Sequence, residues 1–503
     1  MKQHKKRILY NFITGLFSQG VAFLLAFLVP RLFLVSYGSA VKGMISTITQ
    51  VFAYLWLLEA GVGLATVQAL YAPVSKKDRD SVNAIMSATN QYYKKTGIVY
   101  LIAVVLFAVV FSIFSDVGFS RMTIFLIVLM QGIPNVLSYL IQGKYRLLLE
   151  VDGKSYVLNN LQTALQFFVN FGKAFLLSFT ANILLVQSLQ CISAVIQVCF
   201  LLFYIKRNYG WLDFTHAKPD YQAISQKSSV LIHQISGVIF NNTDVLLFSA
   251  FCGFKTVSVY TVYQLFFSSL ETLLTTLSSS ITFSLGQLFH SDRKHFLTCI
   301  DLYETGYLMI VFVLNTIIYL FLLPVIKIYT RGITDIEYVD TWLPILFVLI
   351  SLLANGKMPM NQTINFAERF SDTKMHAVIE AVINLGVSVI AILFLGIYGG
   401  LLGTIAALLF RSNIMILYAN RTILDRSPWI TYRKWLINFT VFCILILTLH
   451  PEKYVYHSYF DILVRGTLYG IGISTIYAAV TCITQPSIPK FLYRTMRERR
   501  GKI

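Results

Sequence analysis

Eight ionisable side chains stand where the surrounding sequence offers them no water. Arg31, Lys173, Lys357 and Arg411 are basic, Glu59, Asp244, Glu271 and Glu380 are acidic, and each lies inside or at the edge of a long hydrophobic run. A charge near the centre of a bilayer costs on the order of 2.5–3.5 kcal/mol on insertion scales. With Glu380 set aside near the end of its run, the other seven would together cost about 20 kcal/mol if they faced lipid. That exceeds the net stability of a typical domain, so these groups must share water, partners or a ligand. Buried cations suit anions, and buried acids suit cations or protons. The formal balance of four against four is zero and selects neither.

Neutral polar residues accompany the charges at helical spacing. Asn159, Gln162, Gln166, Asn170 and Lys173 follow i, i+3, i+7, i+11, i+14 and share one face of a helix. Gln264, Ser268, Glu271, Thr275, Ser278 and Thr282 repeat the pattern later, and Gln187, Gln190 and Gln197 give a sparser version with small Ala194 between. Such stripes line a wet cavity or glue helices together. Two long ones, one in each half of the chain, favour a lining. Gln166, Asn170, Arg31, Lys173, Lys357 and Arg411 are therefore the candidate cavity groups, and Glu59, Asp244 and Glu271 the candidate coupling or inter-helix groups. Asn355, Gly356, Lys357 and Pro359 predict a kink beside a buried lysine, because proline removes a backbone donor and glycine loosens the turn.

The elements that must position these residues are membrane helices. Of 503 residues 56% are hydrophobic and 13% charged, about half the charge density of a soluble domain. Continuous apolar runs near the roughly 20 residues needed to cross a bilayer lie at 10–35, 44–70, 97–114, 122–141, 156–179, 183–205, 230–251, 257–285, 306–329, 342–365, 377–395, 400–419, 435–449 and 462–483. They do not alternate in polarity, which favours helices over barrel strands and predicts an all-α polytopic membrane protein of about fourteen helices. Lysine and arginine crowd the N-terminus, the loops after even-numbered spans and the C-terminal tail, placing both ends in the cytoplasm. The net charge of +18 is then a topology signal, and no nucleic-acid partner is expected. The first span is read as a retained helix because it is longer than a signal-peptide core and lacks a convincing cleavage site.

The loop Ser75-Lys76-Lys77-Asp78-Arg79 finds a counterpart in Ser291-Asp292-Arg293-Lys294, at an offset of roughly 215 residues. Near that offset Arg31 falls close to Asp244 and Glu59 to Glu271. The division is a six-helix lobe at 1–205, a second at 206–420, and two further helices with a basic tail at 421–503. Repeats of even span number are related by an axis along the membrane normal, and transporters of that design hold substrate between the halves.

Enzyme and cofactor motifs are missing. Gly153-Lys154-Ser155 resembles the end of a phosphate-binding loop, but Leu148 stands where its first glycine belongs. Gly470 and Gly472 lack a third glycine, no His-Glu-x-x-His occurs, and no cofactor or metal is expected. The six cysteines lack metal-ligand spacing and are read as small buried hydrophobes, and Gly399 with Gly403 has close-packing spacing.

At Tyr37-Gly38-Ser39, Ser46 to Gln50, Leu58-Glu59-Ala60-Gly61-Val62-Gly63 and Ala69-Leu70-Tyr71-Ala72-Pro73 with Lys76-Lys77-Asp78, the chain resembles bacterial polysaccharide-export flippases. These form part of the multidrug/oligosaccharidyl-lipid/polysaccharide exporter superfamily. Asn242-Thr243-Asp244, Gly253 and Val259-Tyr260 are similar to the start of that family's second half. The resemblance implies two six-helix lobes in a bacterial cytoplasmic membrane that carry an undecaprenyl-diphosphate-linked oligosaccharide to the outer leaflet. A polysaccharide polymerase and glycosyltransferases would be its partners. Arg31, Lys173, Lys357 and Arg411 would meet the pyrophosphate, and the polar stripes the sugar hydroxyls. Two negative charges moving outward would gain about 4.6 kcal/mol per 100 mV. The competing readings are a multidrug exporter of the same fold, exchanging cations for protons or sodium, and a membrane-embedded polysaccharide polymerase or ligase. The latter needs a large outward loop that the sequence does not contain.

Overall fold

The computed structural model describes residues 2–59, 62–179, 182–224, 228–451 and 454–485, with side chains from Leu24 onward except those of 228–234, 241, 370 and 371. The helices are α1 (Lys2–Leu55), α2 (Val62–Lys76), α3 (Arg79–Phe114), α4 (Arg121–Leu137), α5 (Gly143–Val151), α6 (Ser155–Ser178), α7 (Ile183–Asn208) and α8 (Ser228–Phe251). They continue with α9 (Phe254–Ser291), α10 (Arg293–Tyr329), α11 (Leu343–Gly356), α12 (Met358–Phe366), α13 (Phe370–Leu395), α14 (Ile397–Tyr418), α15 (Trp429–Thr448) and α16 (Tyr459–Thr484). Each of the fourteen expected spans falls on helix, save the undescribed residues 60 and 61 and a residue or two at the ends. The molecule is an all-α polytopic membrane protein. Ten helical stretches among the described residues are long and apolar enough to cross a membrane. The two helices with the long polar stripes, α6 and α9, are not among the ten.

Helix propagates further than hydropathy suggests. The first span and the second as far as Leu55 are one helix, α1, interrupted at Gly38, whose φ of 80° and ψ of 174° turn the chain within a single residue. Lys42, which stands between the apolar runs 10–35 and 44–70, therefore lies inside α1. The fourth span runs past Ile141 through a π-turn at Ser138–Gln142 into α5, so Lys144 and Arg146 are helical rather than loop residues. Pro134 precedes that π-turn, and a π-turn rotates the residues beyond it relative to the helix before it. The predicted break at Lys357 is present, with α11 ending at Gly356 and α12 starting at Met358. A side chain at Gly356 would lie 2.1 Å from Trp435.

By its internal contacts the chain forms two compact units, Met1–Ser249 with Gly253–Ser258, and Ala250–Cys252 with Val259–Ile503. In the first, α3 packs on α4, α4 on α7, and α6 on both α1 and α7. Its core is apolar and aromatic around Met44, Ile48, Leu70, Tyr93, Tyr100 and Ile124. In the second, α10 packs on α11, α15 and α16, with Phe312 edge-on to Trp435 at 5.6 Å. The expected close packing at Gly399 and Gly403 is present. Added side chains would meet the Ala391 backbone at 2.3 Å and Ser388 at 2.1 Å, so α13 and α14 touch backbone to backbone. Apolar residues cover the outside as well. Ile98, Ile102, Leu106, Val110 and Ile113 of α3 are all exposed at helical spacing, a face suited to hydrocarbon. The six cysteines are half-buried or exposed, which corrects the expectation that they are buried: they belong to the outer shells of their helices, not to the core.

Short loops are tied by local polar contacts. Asp78 caps α3, and the Ser81 hydroxyl (2.7 Å) and N–H (3.1 Å) hold its carboxyl below the usual range. Lys154, the near-miss phosphate-loop lysine, pairs instead with Asp152 at 2.7 Å and donates to the Tyr209 hydroxyl at 3.3 Å.

Candidate functional site

A cavity of about 610 Å³ opens inside the N-terminal unit. One wall is the polar face of α6, where Gln162, Gln166 and Asn170 alternate with Leu165 and Val169. Opposite stand Gln190, Ser193, Ala194 and Gln197 of α7 and Asn135, Ser138 and Gln142 from the end of α4 and its π-turn. The single 3-10 turn Trp56–Glu59, which interrupts the second span, contributes Trp56 and Glu59. The π-turn sets the phase of α5, which presents Arg146 and Glu150 to the same space. The lining thus has two acids and one base, against ten side chains with an uncharged amide or hydroxyl group.

Glu59 accepts the Tyr93 hydroxyl proton and lies in the field of Arg146. Lys173 stands one turn beyond Asn170 and donates to Gln190 Oε1 at 2.9 Å, so it joins the cavity through a lining residue. Asp244 is buried on α8 beside Thr243, whose hydroxyl bonds Tyr54. Arg31 is half-buried on α1, next to Pro30, and is not part of the cavity wall.

The remaining predicted residues gather in the C-terminal unit. Lys357, at the break between α11 and α12, lies 3.3 Å from Glu380 Oε1, and Arg411 Nε lies 3.4 Å from Glu380 Oε2. Arg411 also donates to the Thr373 carbonyl at 3.1 Å. Glu271 faces the field of Lys357 from α9. The rest of the α9 stripe is largely satisfied locally. Ser268, Thr275 and Thr282 donate to carbonyls three or four residues back, and Ser278 bonds the Tyr303 hydroxyl at 2.6 Å. A cation network that the sequence reading missed completes this unit. Asp301 and Glu304 of α10 hold Arg426 and Lys434 through four contacts of 2.6–3.0 Å, and Glu304 and Lys434 are almost wholly buried.

The chain superposes on the lipid II flippase MurJ, in an inward closed conformation, with a TM-score of 0.67 at 13% identity, over 95% of this chain and 99% of that one. A multidrug resistance MATE family transporter of the MOP superfamily, inward-facing, gives 0.66 at 14% identity over 80% and 95%. A MATE transporter from Vibrio cholerae, VcmN, gives 0.50 at 13% over 82% and 95%. This is the MOP-superfamily fold. No protein-family model and no curated relative matches the sequence, so the likeness is one of fold alone.

Within the MOP fold, Gln166 and Asn170 of the six expected cavity groups line this cavity, together with Glu59, which was read as a coupling or inter-helix group, and with Arg146 and Glu150, which the sequence reading missed. Hydropathy ends the fourth span at Ile141, yet no proline or chain-stopping turn follows until Asp152-Gly153. That uninterrupted helical sequence was the available signal. Asp301, Glu304, Arg426 and Lys434 were invisible for a similar reason. They flank apolar runs and read as solvated ends until tertiary packing buries them.

Proposed function

We propose that this chain is a transporter that moves an undecaprenyl-diphosphate-linked oligosaccharide across a bacterial cytoplasmic membrane by alternating access, for assembly of a surface polysaccharide. The observation that carries this reading is the cavity lining. Side-chain amides and hydroxyls outnumber charges there, and Trp56 and Tyr139 stand among them. Amides donate and accept at once, which suits the paired donor and acceptor character of sugar hydroxyls, and aromatic faces suit the apolar faces of sugar rings. Gln166, Asn170 and Lys173 are substrate contacts of the first unit, and Arg31 of that unit and Lys357 and Arg411 of the second are further cationic contacts. Glu59, Asp244 and Glu271 couple the motion or tie helices. The six, six and two division at 1–205, 206–420 and 421–503, with both termini cytoplasmic, belongs to this proposal, as do a polymerase and glycosyltransferases as neighbours in the pathway.

The test is transfer of a labelled prenyl-diphosphate oligosaccharide between leaflets of liposomes holding the full chain. The Gln166→Ala, Asn170→Ala double variant is expected to transfer about tenfold more slowly, each lost hydrogen bond being worth about 0.5–1.5 kcal/mol. Unchanged transfer would remove the cavity from the path. A second reading, a multidrug exporter, is favoured by the two acids against one base in the lining. It requires Glu59→Gln to abolish drug efflux while leaving surface glycan intact.

A further inference from the structure

We infer that residues 209–224, which follow α7, form a strap that sets the rotation of α5, and that Lys144 and Phe214 are positioning residues that aim Arg146 and Glu150 at the cavity. The use of this strap in transport rests on the export reading above. Helix α5 has nine residues, too few to hold a helix by backbone bonds alone, and it follows a π-turn that shifts its phase from that of α4. Its support must come from outside. Gly143, Arg146, Leu147 and Glu150 make its cavity face, at i, i+3, i+4 and i+7. Lys144 and Leu148 occupy the other face, and both are buried.

A lysine is a costly choice for a buried helix face, since an ammonium that loses water must find partners. Lys144 is 7% exposed, donates to Asn90 Oδ1 of α3 at 2.6 Å, and lies 5.1 Å from the ring centres of both Tyr145 and Phe214. Among the described residues no carboxylate pairs with it. Phe214, from the strap, is itself buried and stands edge-on to Tyr145 at 6.1 Å. A leucine would fill such a place at less cost. A lysine adds direction, because its ammonium is held where an amide oxygen and two ring faces converge. The strap is fastened on either side of that point. The Asp213 N–H donates to Asn83 Oδ1 at 3.0 Å, the Asp220 N–H to the Ala84 carbonyl at 3.1 Å and the Tyr221 hydroxyl to Gln91, while Arg79 stacks on Trp211 at 5.4 Å. All four partners lie in the first turns of α3. Just past the far end of α5, Lys154 lies over the Tyr209 ring at 5.0 Å and the Tyr209 hydroxyl donates to Asp152. The strap thus grips α5 at both ends, through Phe214 and through Tyr209, and α3 fixes the strap. Successive helix residues stand about 100° apart, so a turn of that size would take Glu150 off the cavity side.

The test reads that rotation in the full chain, reconstituted in liposomes. Leu148→Cys and Glu150→Cys are introduced separately, and the rate at which a small water-soluble maleimide labels each position is followed by mass spectrometry of its peptide. With the strap intact the Glu150→Cys thiol is expected to react at least about tenfold faster than the Leu148→Cys thiol, since Glu150 is exposed and Leu148 buried. Phe214→Ala and Lys144→Met are each expected to lower that ratio about tenfold, and Phe214→Tyr to keep it. A ratio unmoved in both variants overturns the inference. So does a rise in both labelling rates together with a lower Tm, the mark of a segment that holds the fold and not the phase of α5. Transfer of the labelled prenyl-diphosphate oligosaccharide separates the strap from the export reading. Phe214→Ala and the Arg146→Gln, Glu150→Gln pair are each expected to slow transfer about tenfold, and all three changes together no more than either alone. Effects that multiply in full mean that the strap does not act through α5, and the inference falls while the export reading survives. If the parent chain transfers nothing, the export reading falls and the labelling ratio alone decides the strap.

Discussion

The two units meet the same difficulty, ionised groups within an apolar helical body, and resolve it in opposite ways. In the C-terminal unit the charges are partnered. Glu380 lies between Lys357 and Arg411, and Asp301 with Glu304 neutralises Arg426 and Lys434. In the N-terminal unit Arg146 and Glu150 face an open cavity among amides, and Lys42 and Lys173 rest on neutral oxygens. Internal pairing makes a charge part of the framework. A charge left on neutral oxygens or facing a cavity can meet a ligand without first giving up an acid.

The contrast breaks most readily at Glu304. Glu304→Ala leaves Arg426 and Lys434 with only the half-exposed Asp301, and the expected cost is about 3–5 kcal/mol, read as lost expression or a large fall in Tm. Gln166→Ala on the cavity wall is expected to change stability by no more than about 0.5 kcal/mol. Comparable losses from both would erase the distinction between framework and lining. A smaller effect is expected at Glu380. Glu380→Gln keeps the shape and an acceptor but removes the carboxylate that lies between Lys357 and Arg411, and about 2 kcal/mol of stability should go. Stability unchanged in urea titration would mean that water already solvates that cluster.

The smallest effect sharpens the comparison at the surface. Asp152 is pushed up by partial burial, but hydrogen bonds from Lys154 and Tyr209 more than offset this and hold its carboxyl below the usual range. A carboxyl lowered by folding contributes stability above its unfolded pKa and loses it as pH falls through the lower folded value. Asp152→Asn should therefore cost less than about 1 kcal/mol at neutral pH, because the pair is solvent-screened. The variant and parent should converge as the pH drops below the usual carboxylate range, which thermal unfolding across pH will check.

Much of this was legible in the residues. The periodicity of Gln162, Gln166 and Asn170 marked one face of one helix, and that face is a cavity wall. The similar stripe on α9 differs in kind, because its serine and threonine hydroxyls donate to their own helix carbonyls while glutamine and asparagine reach farther. Asn355-Gly356-Lys357 marked a real break, yet nothing local revealed that Glu380 and Arg411 would meet Lys357 there.

Apolar run length and residue periodicity, both properties of the chain alone, determined that the protein is a stack of membrane helices and which faces of those helices are polar. Only tertiary structure decided which charges are neutralised and which are left without an acid. Pairing depends on contacts between residues tens to more than a hundred positions apart, and at those distances hydropathy carries no record of who meets whom.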